Sequence, residues 1–289
     1  MIFVIVVLAI ALVGSILAAF FDLKTTEIPD KIPYAMAAAG LVLYGIQSYM
    51  VWSYWPILNS LAWGLGLLGF GFLMYYFGQW GGGDAKVLSA IGFLIPELPK
   101  SLGVNLVFPF PLSYSFNVFL VGAVYMMVYA LIISIMHKKI IFKFFSDIKA
   151  SSKVLSIGSV ALFLSFFLIN WLLARYFEIG FDVISILKYS ILPLLLTIFL
   201  YAIWKFAKVV EDIGFKKKIP VSELKVGDVL LESKLWEGIN EKELNKVKRS
   251  GRKFVVVKEG VRFAGAFPIA LLFTIFIGDG ILLLMNFLL

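Results

Sequence analysis

What most constrains the fold of this chain is the length of its uncharged runs. Eight stretches, residues 2–21, 32–50, 56–77, 85–95, 114–136, 154–174, 184–204 and 264–289, are almost free of ionisable side chains apart from Lys86, Lys188 and Asp279. A helix needs about 20 apolar residues to cross a bilayer. Hydrocarbon offers no partner to a backbone N–H or C=O, so runs of this kind are satisfied as helices. The fourth stretch is the weak one, because a helix there would rise only about 18 Å against a core of about 30 Å. The spacing predicts an all-α polytopic membrane protein with about eight transmembrane helices. Composition agrees. Of 289 residues, 61% are hydrophobic and 15% charged, with mean hydropathy +0.97. Soluble domains carry roughly 45–50% apolar and about 25% charged residues. A disordered chain, a collagen-like fibre and a nucleic-acid-binding globule are excluded. The first run lacks a basic start and exceeds the 7–15 apolar residues usual in a signal peptide, so it reads as a retained helix.

Orientation follows from lysine and arginine, which accumulate on the cytoplasmic side. With the amino terminus outside and alternating spans, the inside segments are 22–31, 78–86, 137–153 and 205–262. They hold 23 of the 26 basic residues, leaving only Lys100, Arg175 and Lys188 outside. An N-out, C-out arrangement is expected. The net charge of +8 then belongs to the cytoplasmic face, where anionic lipid headgroups rather than nucleic acid are its partners. The outer loop 51–55 (VWSYW) reads as an interfacial aromatic belt.

One segment has soluble character. Three domains are expected: a transmembrane catalytic bundle over 1–210, a small cytoplasmic α+β insert over 211–262, and a final transmembrane helix over 263–289. Within the insert, residues 229–231 read as a strand, and 253–258 (KFVVVK) as a second. Asn240 with Glu243 three residues on is a capping-box start for a helix that Gly251 stops.

The candidate chemistry lies with acids that touch the spans, because the bilayer penalises them. There is no cysteine, and the single histidine, His137, stands beside Lys138 and Lys139. This excludes thiolate metal sites, a catalytic thiol and a multi-histidine centre. No metal and no cofactor is called for. Asp22 falls at the cytoplasmic end of the first span and Asp84 at the cytoplasmic start of the fourth, so the two share one depth. Paired carboxylates share a proton, their titrations split apart, and the ionised one activates water while the protonated one hydrogen-bonds a scissile carbonyl. The plainer reading of either aspartate alone is a solvated helix end. Gly81, Gly82 and Gly83 immediately precede Asp84, and backbone without Cβ lets an extended substrate approach closely. A phosphate loop is disfavoured, since the Gly-x4-Gly-Lys-Ser/Thr spacing is absent.

At these residues the chain resembles the GxGD intramembrane aspartic proteases, specifically the archaeal prepilin and preflagellin peptidases. The GxGD element is Gly81-Gly82-Gly83-Asp84, followed by Lys86. The stretch Asp22-Leu23-Lys24-Thr25-Thr26-Glu27-Ile28-Pro29-Asp30 is similar to the family's D-x-K/R-x-x-x-I-P, and the tail from Pro268 to Asp279 is a further likeness. The resemblance implies an aspartic endopeptidase of the cytoplasmic membrane. It would remove short basic leaders from type IV pilin-like precursors, pilins or archaellins with class III signal peptides, with Asp22 and Asp84 catalytic. Bacterial relatives often carry a four-cysteine zinc insert, which a chain without cysteine lacks.

Further positions have two readings each. Glu27 and Asp30 either receive the basic leader or offset Lys24 and Lys31 on a wet loop. Lys86 either orients Asp84 or is one more cytoplasmic lysine. Asp279, within the last span, is either a functional acid or a structural hydrogen-bonding group. Gly64, Gly71 and Gly78, with Gly66 and Gly69 between them, give the third span a smooth packing face. The competing functions are an ion-coupled transporter or channel using intramembrane acids, and a catalytically inactive scaffold. Against transport, no pair of broken helices recurs in matching halves.

Overall fold

The structure is a computed structural model, and it describes residues 2–99, 102–104, 106–177, 182–233, 238–258 and 260–288. Lys100, expected on the outer side, lies outside the described residues. The helices are α1 (Ile2–Thr25), α2 (Lys31–Met50), α3 (Trp55–Tyr76), α4 (Gly82–Leu94), α5 (Phe110–Met136), α6 (Lys138–Tyr176) and α7 (Val183–Gly214). The strands β1 (Lys216–Pro220), β2 (Val229–Leu230) and β3 (Phe254–Lys258), with helix α8 (Glu241–Arg249) before β3, form a small α+β element. The chain ends in α9 (Ala266–Phe276) and α10 (Gly280–Leu288). Among the described residues five helices are long and apolar enough to cross a membrane: α1, α3, α5, α6 and α7. Five of the eight expected crossings are thus full-length candidates. The clearest departures have local causes.

Helix α4 has 13 residues, and it serves as the core of its unit. Ala85, Val87, Leu88, Ala90, Ile91 and Leu94 are fully buried. A helix that is apolar on every side belongs inside a bundle, and α4 packs against α1, α2 and α3. Small residues let it approach closely. A Cβ on Gly40 would lie 2.7 Å from the Phe93 carbonyl oxygen, and one on Gly71 would lie 2.8 Å from the Ala85 Cα. Hydroxyls bridge the same contact: Ser60 donates to the Phe93 carbonyl at 2.6 Å and Ser89 to the Gly64 carbonyl at 2.8 Å. The glycine face of α3 thus resolves into two parts. Gly64 and Gly71 meet α4, whereas Cβ atoms on Gly66 and Gly69 would find nothing within 4 Å. Gly71→Val is expected to destabilise the detergent-solubilised protein by about 1–3 kcal/mol through overpacking against unyielding backbone. Gly66→Val should leave the thermal midpoint nearly unchanged, and a thermal unfolding series compares the two.

The last apolar stretch is two helices where one was expected. Gly278 has φ +95°, a left-handed backbone that glycine adopts at little cost, and α9 ends there. The freed backbone groups find partners, as burial away from water requires. Asn117 donates to the Gly278 carbonyl and to Thr274, both at 2.8 Å, and its Oδ1 accepts the Gly280 N–H at 2.9 Å. Asp279 is buried and accepts the Val107 N–H at 2.5 Å.

The chain forms two compact units, Met1–Tyr129 with Lys217–Leu289, and Ala130–Lys216. The second is chiefly the α6–α7 hairpin, tied by Asn170 donating to Ser190 at 3.1 Å and by Ile140 against Val209 and Val210. Residues 138–153, expected within the inside segment 137–153 between two spans, are the start of the 39-residue α6. A basic amphipathic stretch is as helical as an apolar one, and Lys143 pairs with Asp147 one turn on. In the α+β element the sheet order is β1-β3-β2, with β2 antiparallel to β3 in the register Val229↔Lys258 and Leu230↔Val257. Ile219, Val221, Leu224, Ile239, Val255 and Val257 form its own small core. Helix α8 begins as its sequence indicates. Asn240 Oδ1 accepts the Glu243 N–H and Glu243 Oε2 accepts the Asn240 N–H, both at 3.0 Å. Strand β1 (KKKIP) gave no strand signal, because three consecutive lysines hide the alternation.

Candidate active site

Asp22 lies one turn before the end of α1. Thr26 terminates that helix in a left-handed conformation (φ 58°) and returns its N–H to the Asp22 carbonyl at 2.8 Å. The Asp22 side chain is buried, and its Oδ2 accepts the N–H of Ala264 at 2.8 Å. Ala264 stands just before α9, so the contact joins the two ends of the chain across 242 positions.

Asp84 occupies the first turn of α4. Gly78 (φ +69°) ends α3, and Gly81 (φ −74°, ψ 155°) is extended and caps α4. The Asp84 carboxylate reaches back and accepts the Gly81 N–H at 3.0 Å. Gly83 is tightly packed: a Cβ there would lie 3.0 Å from the Ile28 Cβ, so that side chain would have to give by a few tenths of an ångström. The start of α4 therefore packs directly on the loop that follows Asp22. Asp84 is buried, and the two carboxylates are close enough for their charges to interact.

Both aspartates line one open cleft of about 1210 Å³. Gly81, Gly82, Gly83 and Glu27 line it as well, while Asp30 and Lys86 do not. Lys86 forms an ion pair with Asp30 at 2.5 Å and lies 5.5 Å from the Tyr34 ring centroid. That pair is partly exposed, and its geometry ties the start of α4 to the start of α2. Asp279 belongs elsewhere, on the Val107 amide.

The opposite wall comes from residues that sequence reasoning did not select. The α+β element contributes Lys217, Glu223, Lys225 and Asp228, and the segment leading into α9 contributes Arg262 and Phe263. Trp80 closes the floor, stacked on Phe119 with centroids 5.2 Å apart and tilted against Phe263 at 5.8 Å. The only signal in the sequence was an arginine two residues before an apolar run. Chemically, the cleft offers two buried carboxylates, a backbone wall of glycines and a rim of mixed charge open to solvent.

Residues 8–131, which include both aspartates, match the model of the Type IV leader peptidase family. The chain is 26% identical over 133 residues to prepilin peptidase EppA of Methanothermobacter thermautotrophicus, covering 43% of this chain and 34% of that protein. It is 36% identical over 89 residues to a preflagellin peptidase of Methanococcus voltae (31% and 38%). A preflagellin peptidase of Methanocaldococcus jannaschii is 32% identical over 85 residues (29% and 36%). The chain spans about a third of the length of the curated relatives it matches.

Proposed function

We propose that the chain is a membrane aspartic endopeptidase that removes short basic leaders from type IV pilin-like precursors, pilins or archaellins. The observation that carries this reading is the meeting of two buried carboxylates, from α1 and α4, in one cleft within the stretch that matches the leader peptidase family. One carboxylate takes a proton from water as it attacks the scissile carbonyl. The other, protonated, hydrogen-bonds the carbonyl oxygen as charge develops there. Collapse of the tetrahedral intermediate returns a proton to the leaving nitrogen, so no covalent enzyme intermediate arises. The substrate lies extended along Gly81–Gly83, where the main chain is accessible. Glu27, Glu223 and Asp228, interspersed with lysines on the rim, offer carboxylates that pair at short range with basic residues of the leader, contacts that salt weakens.

The cleft faces the cytoplasm in this reading, with the amino terminus outside, an orientation that the accumulation of lysine and arginine in 22–31, 78–86, 137–153 and 205–262 supports. Lipid headgroups meet the basic inner face. The experiment is direct. The chain is reconstituted in liposomes and incubated with a purified pilin or archaellin precursor, and the products are weighed by mass spectrometry. Release of the leader by a single cut before the apolar segment is expected; a precursor left whole overturns the reading.

A further inference from the structure

The segment that runs from β3 into α9 is pinned to the active site at several points. Gly260 packs on the loop after α1, where a Cβ would lie 3.4 Å from the Thr26 Cβ. Phe263 meets Trp80, with centroids 5.8 Å apart, and lies edge-on to Phe267 at 5.8 Å. Ala264 donates its N–H to Asp22. Gly265 lies against Tyr125 of α5, whose hydroxyl would be 2.7 Å from a Cβ there. Between these anchors stands Arg262, half-buried in the cleft wall. Its Nη1 donates to the Tyr129 hydroxyl at 2.8 Å, and the Tyr129 ring is parallel to Tyr125, with centroids 6.4 Å apart and an interplanar angle of 6°. The guanidinium is thus held from α5 while its backbone is held from α1 and Trp80. Arg262 and Asp22 line the same cleft, and the Ala264 N–H that Asp22 accepts lies only two residues beyond Arg262.

We propose that Arg262 is a positioning residue that fixes Asp22 as the base of the aspartate pair. Each aspartate accepts one backbone N–H, Asp22 from Ala264 and Asp84 from Gly81. Burial weighs on both carboxylates, and the charge nearby adds a difference between them. The amino-terminal dipole of α4 acts on Asp84 with about half an elementary charge, whereas Arg262 offers Asp22 a full one that guanidinium never loses. Lys24 and Glu27 flank Asp22 on its own side, and Tyr125 faces it from α5. Asp84 then keeps the shared proton and serves as the acid. The inference rests on the peptidase reading and adds to it the assignment of roles and a residue outside the matched stretch.

The test uses full-length chain in liposomes, with initial rates of leader release measured over a range of precursor concentrations. Arg262→Gln is expected to lower kcat by about 10²-fold, the low end of what a positioned acid–base group contributes, with KM within about two-fold. Arg262→Lys, which keeps the charge, is expected to recover most of the loss. Arg252→Gln removes a cation from the exposed pair with Glu232 and should keep the wild-type rate, which separates a local role from the general basicity of this face. If Arg262→Gln retains kcat within two-fold, or Arg252→Gln falls as far as Arg262→Gln, the inference is overturned. Should Arg262→Gln fail to fold, a folded Arg262→Lys that loses kcat as steeply as expected for Arg262→Gln overturns it instead. A wild-type chain that leaves the precursor whole refutes the peptidase reading itself, a result that no Arg262 variant can produce.

Discussion

Asp84→Asn is expected to abolish leader release, by on the order of 10⁴-fold or to the detection limit, because paired catalytic groups act as a unit. The fold should survive. Asparagine has nearly the same volume, and its amide oxygen can accept the Gly81 N–H that now meets the carboxylate at 3.0 Å. The cap of α4 is therefore kept. The proton of the pair is what disappears: an amide neither carries it to the substrate carbonyl nor surrenders it to the leaving nitrogen. Detergent-solubilised protein with an unchanged thermal midpoint and no processing of a purified precursor is the expected combination. A residual rate within ten-fold of wild type would remove Asp84 from the chemistry.

The reason this position could be chosen from sequence lies in what surrounds it. Three glycines before a carboxylate, at the start of an apolar run, are unusual locally, and the spacing to Asp22 needs only the alternation of spans to bring the two together. Boundaries of α1, α2 and α3 were legible for a similar reason, since charge and turn residues bracket the apolar runs. Other features were hidden because their causes, some tertiary and some local, lie outside an apolar count. The break at Gly278 depends on Asn117, 161 residues earlier, to satisfy the freed carbonyl. The continuity of α6 through residues 138–153 depends on ion pairing and helix propensity, which an apolar count does not register. Strand β1 exists because β3 offers it an edge. Arg262 had only its place two residues before an apolar run as a marker, since the residues around it, Asp22, Tyr125 and Tyr129, come from distant segments and meet only when α9 packs beside α1. Lys86 is the opposite case: an adjacent carboxylate at position 84 drew attention, yet the folded chain gives it Asp30 as an ion-pair partner.

Asp22→Asn is expected to match Asp84→Asn, and the double variant should be no slower than either alone. The substituted side chain would still accept the Ala264 N–H through its amide oxygen, so the junction between α1 and the segment entering α9 stays closed. Independent contributions would multiply, taking the double variant on the order of 10⁴-fold below each single one in rate. A pair that handles one proton cannot behave so, because losing either member already removes the water activation that the other depends on. The measurement needs sensitivity rather than speed: long incubations with excess enzyme, and leader peptide quantified against an isotope-labelled standard. Equal residual rates in all three variants support a single two-carboxylate device. A double variant slower by the product of the single losses would mean that Asp22 and Asp84 work on different steps. Full activity in Asp22→Asn would leave the cleft with one working acid, and another group in its wall would then have to activate water.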